Sequence, residues 1–195
     1  MTDMQMRDAR PGDREAIQEV TLTAYQQYAE ILPPPHWESY RHNILKRLAD
    51  VSPAEQIVAE LEGVVVGTAL LYPAGAVFST PDGASVTLER PEMRLLAVAP
   101  AARGRGVGVA LVQECIRRAR RSGVAELTLH TSDMMQVAMR MYEGMGFVRA
   151  PELDFHPAPD VTVKGYRFPL IAPKDEQARD DTSPDLADLT SSAFR

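Results

Sequence analysis

Apolar residues recur three or four positions apart in four segments of this 195-residue chain, and that spacing predicts four amphipathic helices. In the first helix, Ile17, Val20 and Ala24 form the apolar stripe, and Asp13 stands where a helix cap is favoured. The three consecutive prolines at 33–35 interrupt the chain before the second helix. The predicted helices span residues 13–25, 37–48, 107–122 and 132–144.

Apolar runs of two to nine residues between these segments predict strands. The turn Glu62-Gly63 predicts a hairpin, whereas residues 73–91, with the turn signal Pro81-Asp82-Gly83, are read as a long loop or as extensions of neighbouring strands. Strands 93–98 and 124–130 flank a helix, so they are expected to run parallel through a right-handed crossover. The remaining strands are expected to be antiparallel, which gives a mixed α/β sheet. The predicted strands span residues 56–61, 64–72, 93–98, 124–130, 147–148 and 163–170.

The composition is ordinary for a globular protein, with 45% hydrophobic and 25% charged residues. Residues 1–172 are expected to form one domain, and the acidic segment 173–195 is expected to be flexible. The net charge of −6 argues against a nucleic-acid partner. No apolar run approaches the ~18 residues of a membrane span, and the N-terminus is too polar for a signal peptide. A cytoplasmic protein without a membrane partner is therefore expected, and its single Cys115 permits no intramolecular disulfide.

The stretch RGRGVG at 103–108 lies between an apolar strand and the third helix. A helix N-terminus exposes unpaired N–H groups that suit an anion, and glycines let a phosphate approach the backbone. Arg103 and Arg105 add charge for phosphate oxygens. The alternative is a plain turn whose glycines only supply positive φ. The common nucleotide motifs fail, because the loop lacks G-K-[ST] and Val109 stands where the third glycine of G-x-G-x-x-G would fall.

Three stretches of the sequence resemble the GNAT superfamily of N-acyltransferases. Arg103 to Gly108 has the R-x-x-G-x-G spacing of that superfamily's acyl-CoA signature. The segment AMRMYEGMGF at 138–147 is similar to its A-x-x-x-Y-x-x-x-G-F pattern, and GTALL at 67–71 is similar to its early glycine-led strand. The resemblance covers residues 5 to about 170 and implies a twisted, mostly antiparallel sheet flanked by helices. In it, a central parallel pair, the fourth and fifth strands, splays apart around coenzyme A (CoA).

The resemblance implies acetyl-CoA as the acyl donor and no metal. The diphosphate would be held by the loop and the first turn of the following helix, and the pantetheine arm would run along the strand before it. Met135 stands where the family often has an asparagine that contacts this arm; Ser132, Asp133 or Gln136 are alternative polar contacts. The residues assigned to the cofactor are Leu96, Ala97, Val98, Arg103, Gly104, Arg105, Gly106, Val107, Gly108, Val109 and Met135.

Two residues are the candidates for catalysis. Glu92 lies in the region where histone-acetylating members of the superfamily carry a glutamate base. Its ordinary pKa of about 4.3 is far from that of an ammonium, so it needs burial or a water chain, and the alternative is an ion pair with Arg94 or Arg90. His130 is a second candidate base. Tyr142 is the candidate acid toward the leaving sulfur, or simply a tyrosine packed under a phenylalanine.

The predicted activity is transfer of an acetyl group to a primary amine of a small molecule or peptide, by direct attack in a ternary complex. The alternative is a non-catalytic sensor of acyl-CoA, and a homodimer is left open. Trp37, Tyr40 and His130 are the candidates for lining the acceptor pocket, although packing explains the first two equally well. The sequence leaves the acceptor amine unidentified.

Overall fold

The computed structural model describes residues 4–79, 85–158 and 161–170, so the predicted turn at 81–83 and the acidic segment 173–195 lie outside the described residues. Within these ranges the chain forms ten strands and four α-helices. The helices are α1 (Arg14–Tyr25), α2 (Pro34–Ala49), α3 (Val107–Arg121) and α4 (Gln136–Gly144). The strands are β1 (Met4–Asp8), β2 (Glu55–Leu61), β3 (Val64–Tyr72), β4 (Val77–Ser79), β5 (Ser85–Thr87), β6 (Glu92–Val98), β7 (Glu126–Thr131), β8 (Val148–Arg149), β9 (Phe155–Ala158) and β10 (Val161–Pro169).

The main sheet has the order β1-β2-β3-β6-β7-β10-β8, with β9 paired to β10, and β4 and β5 form a separate hairpin. The pair β6 and β7 is parallel, and the other pairs among the described strands are antiparallel. The crossover helix α3 joins the two parallel strands. The predicted mixed sheet with a central parallel pair is therefore confirmed.

The parallel pair separates soon after it forms. Glu92 pairs with Thr128 and Met93 with Leu129, and no further rung of the ladder follows in the described part of the two strands. At the same point β6 carries a bulge: Leu95 has a φ of 48°, and the register against β3 shifts there. The second half of β6 is therefore held by β3 on one edge and open toward β7 on the other.

The helices cover the two faces of the sheet. On one face α1 packs against β3 and β6, and on the other α3 packs against β2, β3 and β6. The bulge changes which residues face each side, because it adds one position to the two-residue alternation of a strand. Met93, Leu96 and Val98 pack on the α3 side, whereas Leu95 and Ala97 pack on the α1 side.

Gly67 of β3 is where α3 comes closest to the sheet. A Cβ there would lie 2.9 Å from Val107 Cγ1, 3.0 Å from Leu111 Cδ1 and 3.2 Å from the Ala97 carbonyl oxygen. We expect Gly67→Ala to lower the free energy of unfolding by about 1–3 kcal/mol, because α3 must shift to relieve the overlap. Urea unfolding measures the change. Gly12→Ala is the control, since nothing lies within 4 Å of its Cβ position, and equal stability of the two variants would contradict the packing described.

Several elements differ from the sequence predictions. The strand β9 was not predicted, and α4 begins at Gln136 rather than at residue 132, because a 3₁₀ turn at Asp133–Met135 precedes it. The strand β1 was not predicted, because its sequence MQMRD is largely polar; it forms by pairing with β2, and Arg7 bonds both Asp13 and Glu60. The helix α2 begins at Pro34 rather than at residue 37, since proline is well suited to the first turn of a helix. Residues 73–91 contain the β4–β5 hairpin rather than extensions of β3 and β6.

Candidate functional site

The N-terminus of α3 opens into free space. Gly104 and Gly106 have φ values of 75° and 80°, which favour glycine, and an added Cβ at either would meet nothing within 4 Å. The first backbone N–H that bonds back within the helix is that of Ala110, to the Gly106 carbonyl. The N–H groups of 107–109 therefore lack an intrahelical partner, as expected for a first helical turn, and form a ready site for an anion.

The two arginines of this loop are exposed but differ in their surroundings. Arg103 donates to the carbonyl oxygen of Ala24, at 3.1 Å, and to Gln27 Oε1, at 3.3 Å. It therefore ties the loop to the C-terminal end of α1, a contact that sequence reasoning did not foresee. Arg105 forms no ion pair within the described residues. Arg105 can therefore bind an anion without first breaking an ion pair, whereas Arg103 would have to release its hydrogen bonds.

Leu96, Ala97 and Val98, the residues predicted to meet the pantetheine arm, follow the point where β6 stops pairing with β7. The Tyr25 hydroxyl reaches this strand from α1 and donates a long hydrogen bond of 3.4 Å to the Leu96 carbonyl oxygen. Ala97 is buried under the α1 side, whereas Leu96 and Val98 are partly buried against the α3 side. The bulge at Leu95, which creates this arrangement, has no signal in the sequence.

Tyr142 of α4 is buried, and its ring packs 5.7 Å from that of Phe147. Burial raises the pKa of its hydroxyl, with a smaller contribution from Tyr28, so the phenol stays protonated through the neutral range. The pKa of the buried Tyr25 is also raised; burial contributes most, then Tyr40, then Tyr142.

Glu92 is the buried carboxylate at the start of the opening, with 3% of its surface exposed. Arg94 Nε donates to its Oε1, and His130 Nδ1 lies 3.2 Å from the same oxygen. Burial opposes the charged form, but His130 and Arg94 outweigh it, so the pKa of Glu92 lies below its ordinary value. Of the two ion pairs considered from the sequence, that with Arg94 forms; Arg90 instead pairs with Glu89 and Glu126.

His130 bridges Glu92 and the chain after β8. Its Nε2 lies 2.9 Å from the Leu153 carbonyl oxygen, which only accepts, so Nε2 carries a proton. A neutral ring would then turn the bare lone pair of Nδ1 toward the Glu92 carboxylate, whereas an imidazolium would turn an N–H toward it; at 3.2 Å the two atoms form no hydrogen bond of good geometry. Burial lowers the pKa of His130, but Glu92 outweighs it and the net pKa is raised. The contact places His130 beside Glu92, and its roles as a base or as a residue of the acceptor pocket stay predictions.

The raised pKa of His130 predicts a stability that depends on pH. A group with a raised folded pKa stabilises the protein fully below its unfolded pKa, about 6.5 for histidine. That contribution is lost as pH rises through the higher folded pKa. We expect the wild-type protein to lose unfolding free energy above about pH 6.5 relative to His130→Gln. Urea unfolding from pH 5.5 to 8.5 measures this, and parallel profiles for wild type and His130→Gln would contradict it.

The residues predicted to line the acceptor pocket fall into two groups. Trp37 is buried and packs with Tyr40, at a ring distance of 6.3 Å, in a cluster that includes Ala97 and the partly buried Met135. Tyr25 and Tyr28 extend this aromatic cluster. The sequence analysis did not include them, although the tyrosines just before the three prolines are a signal that could have identified them. His130 lies apart from this cluster, beside Glu92.

A shallow cleft of about 340 Å³ lies between the turn after α1 and the start of α4. Tyr28 and Met135 line it, together with Asp133 and Gln136, two of the polar residues considered as replacements for the missing asparagine. The third, Ser132, has a buried hydroxyl that finds no hydrogen-bond partner among the residues that the structure describes. The structure therefore brings Tyr28, from the turn after α1, and Met135, assigned to the cofactor from the sequence, into one cleft.

The described residues contain neither a membrane-spanning helix nor a cluster of metal ligands. None of their helices is long and apolar enough to cross a membrane. In the same residues, no three His, Cys, Asp or Glu side chains come together as metal ligands would. The expectation that no metal takes part stays a prediction.

Comparisons with known proteins agree with this architecture. Human N-acetyltransferase 8B is 33% identical over 99 residues, which make up 51% of this chain and 40% of that protein. The chain therefore spans well under two thirds of this relative's length. An acetyltransferase of the GNAT family from Staphylococcus aureus has a TM-score of 0.64 at 16% identity, covering 87% of this chain and all of that one. The PaiA N-acetyltransferase from Thermoplasma acidophilum, solved with coenzyme A, has a TM-score of 0.62 at 15% identity, covering 85% and 99%.

These structural likenesses concern the fold, since their identities are low. The sequence model of the acetyltransferase (GNAT) family matches residues 15–147, which is more than half of the chain. The match includes β6, the glycine loop, α3 and α4. The chain belongs to the GNAT acetyltransferase family.

Proposed function

We propose that this protein is an acetyl-CoA-dependent N-acetyltransferase that acetylates a primary amine by direct attack within a ternary complex. One observation carries the proposal: the opening between β6 and β7 lies beside the glycine-bared N-terminus of α3. An extended thioester can lie along the open strand while its diphosphate meets the helix. Family membership supports acetyl-CoA as the donor, and the acceptor is a small molecule or a peptide.

The donor is held at two places. The N–H groups of 107–109 hydrogen-bond the diphosphate, with added charge from Arg105, while Arg103 reaches it only by releasing Ala24. The pantetheine arm adds to the open edge of β6 like a further strand, through backbone groups of Leu96 and Val98. A backbone N–H of the same segment stabilises the oxyanion of the tetrahedral intermediate.

The reaction forms a C–N bond and breaks the thioester C–S bond. The amine attacks the thioester carbon, the intermediate collapses, and CoA leaves as the thiolate. Full proton transfer from a phenol of pKa ~10 to a thiolate of pKa ~8.5 is unfavourable. Since burial raises the pKa of Tyr142 further, its hydroxyl stabilises the departing sulfur by a hydrogen bond. The thiolate takes its proton later, from solvent.

Glu92 takes the proton that the amine nitrogen loses, through a water molecule. Its lowered pKa makes it a weak acceptor from a free ammonium. The nitrogen becomes more acidic once the C–N bond forms, so transfer at that stage is easier. The acceptor enters from the α1 side, where Trp37, Tyr40 and the ion pair of Glu92 with His130 lie.

A thermal-shift screen of CoA thioesters, followed by detection of thiol release with a panel of primary amines, tests the proposal. We expect acetyl-CoA to raise the melting temperature and at least one amine to release CoA in proportion to N-acetylated product. Binding of acetyl-CoA without turnover across a broad panel would favour a non-catalytic sensor. Failure to bind any CoA thioester would contradict both the acetyltransferase proposal and the sensor alternative.

A further inference from the structure

Three hydrogen-bond donors converge on the α1 side of the sheet, beside Glu92. Arg47 of α2 and Arg94 of β6 both place their guanidiniums over the ring of Phe78, at 4.6 and 4.3 Å from its centre. Both also lie over the ring of Tyr72, at 5.8 and 5.7 Å. The rings of Tyr72 and Phe78 stack edge to face at 4.9 Å. One aromatic pair thus holds two cations close together.

The donors of this cluster are only partly used. Tyr72 is fully buried, and its hydroxyl makes no hydrogen bond of good geometry with the described residues. Burial raises the pKa of this hydroxyl, whereas the charge of Arg47, a hydrogen bond that Arg47 donates toward the phenol oxygen, and the charge of Arg94 oppose the rise. Arg94 uses its Nε on Glu92, and Arg47 has no carboxylate partner within the described residues. A buried unpaired hydroxyl costs free energy unless a ligand satisfies it.

The charge around the cluster is also unbalanced. Glu92 pairs with Arg94 and lies beside His130, and it forms no ion pair with Arg47 in the described part of the chain. The other carboxylate that acts on Tyr72 is that of Asp50, which is exposed at the end of α2. Aromatic faces relieve part of the repulsion between two nearby guanidiniums, but an anion between them relieves more.

We propose that Arg47, Arg94 and the Tyr72 hydroxyl bind a carboxylate of the acceptor, so that the acceptor is a primary amine that also carries a carboxylate, such as an amino acid. This inference rests on the proposed acetyltransferase function. The planar guanidinium matches a carboxylate through two parallel hydrogen bonds. Arg94 directly precedes the bulge at Leu95, where β6 leaves β7. The carboxylate would therefore lie about one or two residues, at ~3.3 Å each, from the open strand where acetyl transfer is proposed.

Matched acceptors test the inference on the full chain. The rate of CoA release with acetyl-CoA is measured for an amino acid, its carboxamide and the amine without the carboxyl group, for instance phenylalanine, phenylalaninamide and phenethylamine. The same three-compound comparison is repeated for amino acids with several different side chains. We expect kcat/KM for the carboxylate to exceed that for its carboxamide at least tenfold in the best set. Arg47→Gln is expected to reduce this ratio at least fivefold, and Arg47→Lys, which keeps the charge, to reduce it less.

Arg41→Gln is the control, because Arg41 lies on the same helix but pairs only loosely with Glu38, at 3.9 Å. It is expected to leave the ratio unchanged. Two results would overturn this inference and leave the proposed acetyltransferase activity standing. One is that carboxamides or simple amines react as well as the carboxylates. The other is that Arg47→Gln folds and keeps the wild-type ratio of kcat/KM for carboxylate over carboxamide. The absence of turnover with every amine would instead count against the proposed function, and the inference would fall with it.

Discussion

Replacing Gly106 by leucine is expected to raise the Kd for CoA roughly a hundredfold. The glycine caps α3 with a φ of 80°, and its missing side chain would point into the open space in front of the helix. A leucine side chain there occupies the volume that the diphosphate needs and keeps it from the N–H groups of 107–109. Each hydrogen bond to a charged group is worth roughly 1.5–3 kcal/mol, so losing one or two accounts for this factor. Isothermal titration calorimetry measures it.

The control variant for this experiment is Gly123→Leu at the other end of α3. Gly123 has a φ of 71° and likewise nothing within 4 Å of its Cβ position. Both substitutions therefore carry a similar left-handed strain of about 1–2 kcal/mol, but only one lies at the proposed anion site. We expect Gly123→Leu to bind CoA as the wild type does. Equal affinities for the two variants would contradict diphosphate binding at the start of α3.

Removing the Tyr142 hydroxyl is expected to lower kcat about a hundredfold, within the range for a group that acts on a developing charge, and to leave the Kd for CoA nearly unchanged. The reason is that the hydroxyl stabilises the departing sulfur only while the C–S bond breaks. Tyr142→Phe keeps the ring and its packing on Phe147, so the fold is retained. Steady-state kinetics with the best amine and direct binding of CoA separate the two quantities.

Tyr166→Phe serves as the control for the loss of a buried tyrosine hydroxyl. Tyr166 is also buried, but its hydroxyl donates to Glu143 Oε1 at 2.9 Å rather than toward the opening. Its variant is expected to lose some stability and to keep kcat. If Tyr142→Phe turned over like the wild type, or if both variants lost kcat equally, the role assigned to Tyr142 would be wrong.

Much of the sheet could be predicted because its central elements carry strong local patterns. The apolar run of β6, the amphipathic α3 and the strand β7 follow one another in an order that allows a right-handed parallel crossover. The strand β1 could not be predicted, since its polar residues pair only when β2 is present. The bulge at Leu95 has no sequence signal either, because a leucine with a φ of 48° is set by the surrounding sheet rather than by its own preference.

The parts of the site that depend on backbone conformation could be predicted from the sequence. The contacts between side chains that are distant in the sequence were much harder to predict. The two positive-φ glycines of the loop could be expected from their residue type. Arg103 was expected at the diphosphate, but its bond to Ala24 comes from the packing of α1 against the loop. The Glu92 pair with Arg94 lies two residues along one strand and was foreseen as an alternative. His130 joins it only because β7 pairs with β6 at this point.

The most direct test of the account is a crystal structure of the chain with CoA bound. The account predicts diphosphate oxygens within hydrogen-bond distance of the backbone nitrogens of 107–109. It also predicts the pantetheine arm along 96–98, with the sulfur near the Tyr142 hydroxyl. A diphosphate bound elsewhere, or an arm that leaves the opening between β6 and β7 empty, would contradict it.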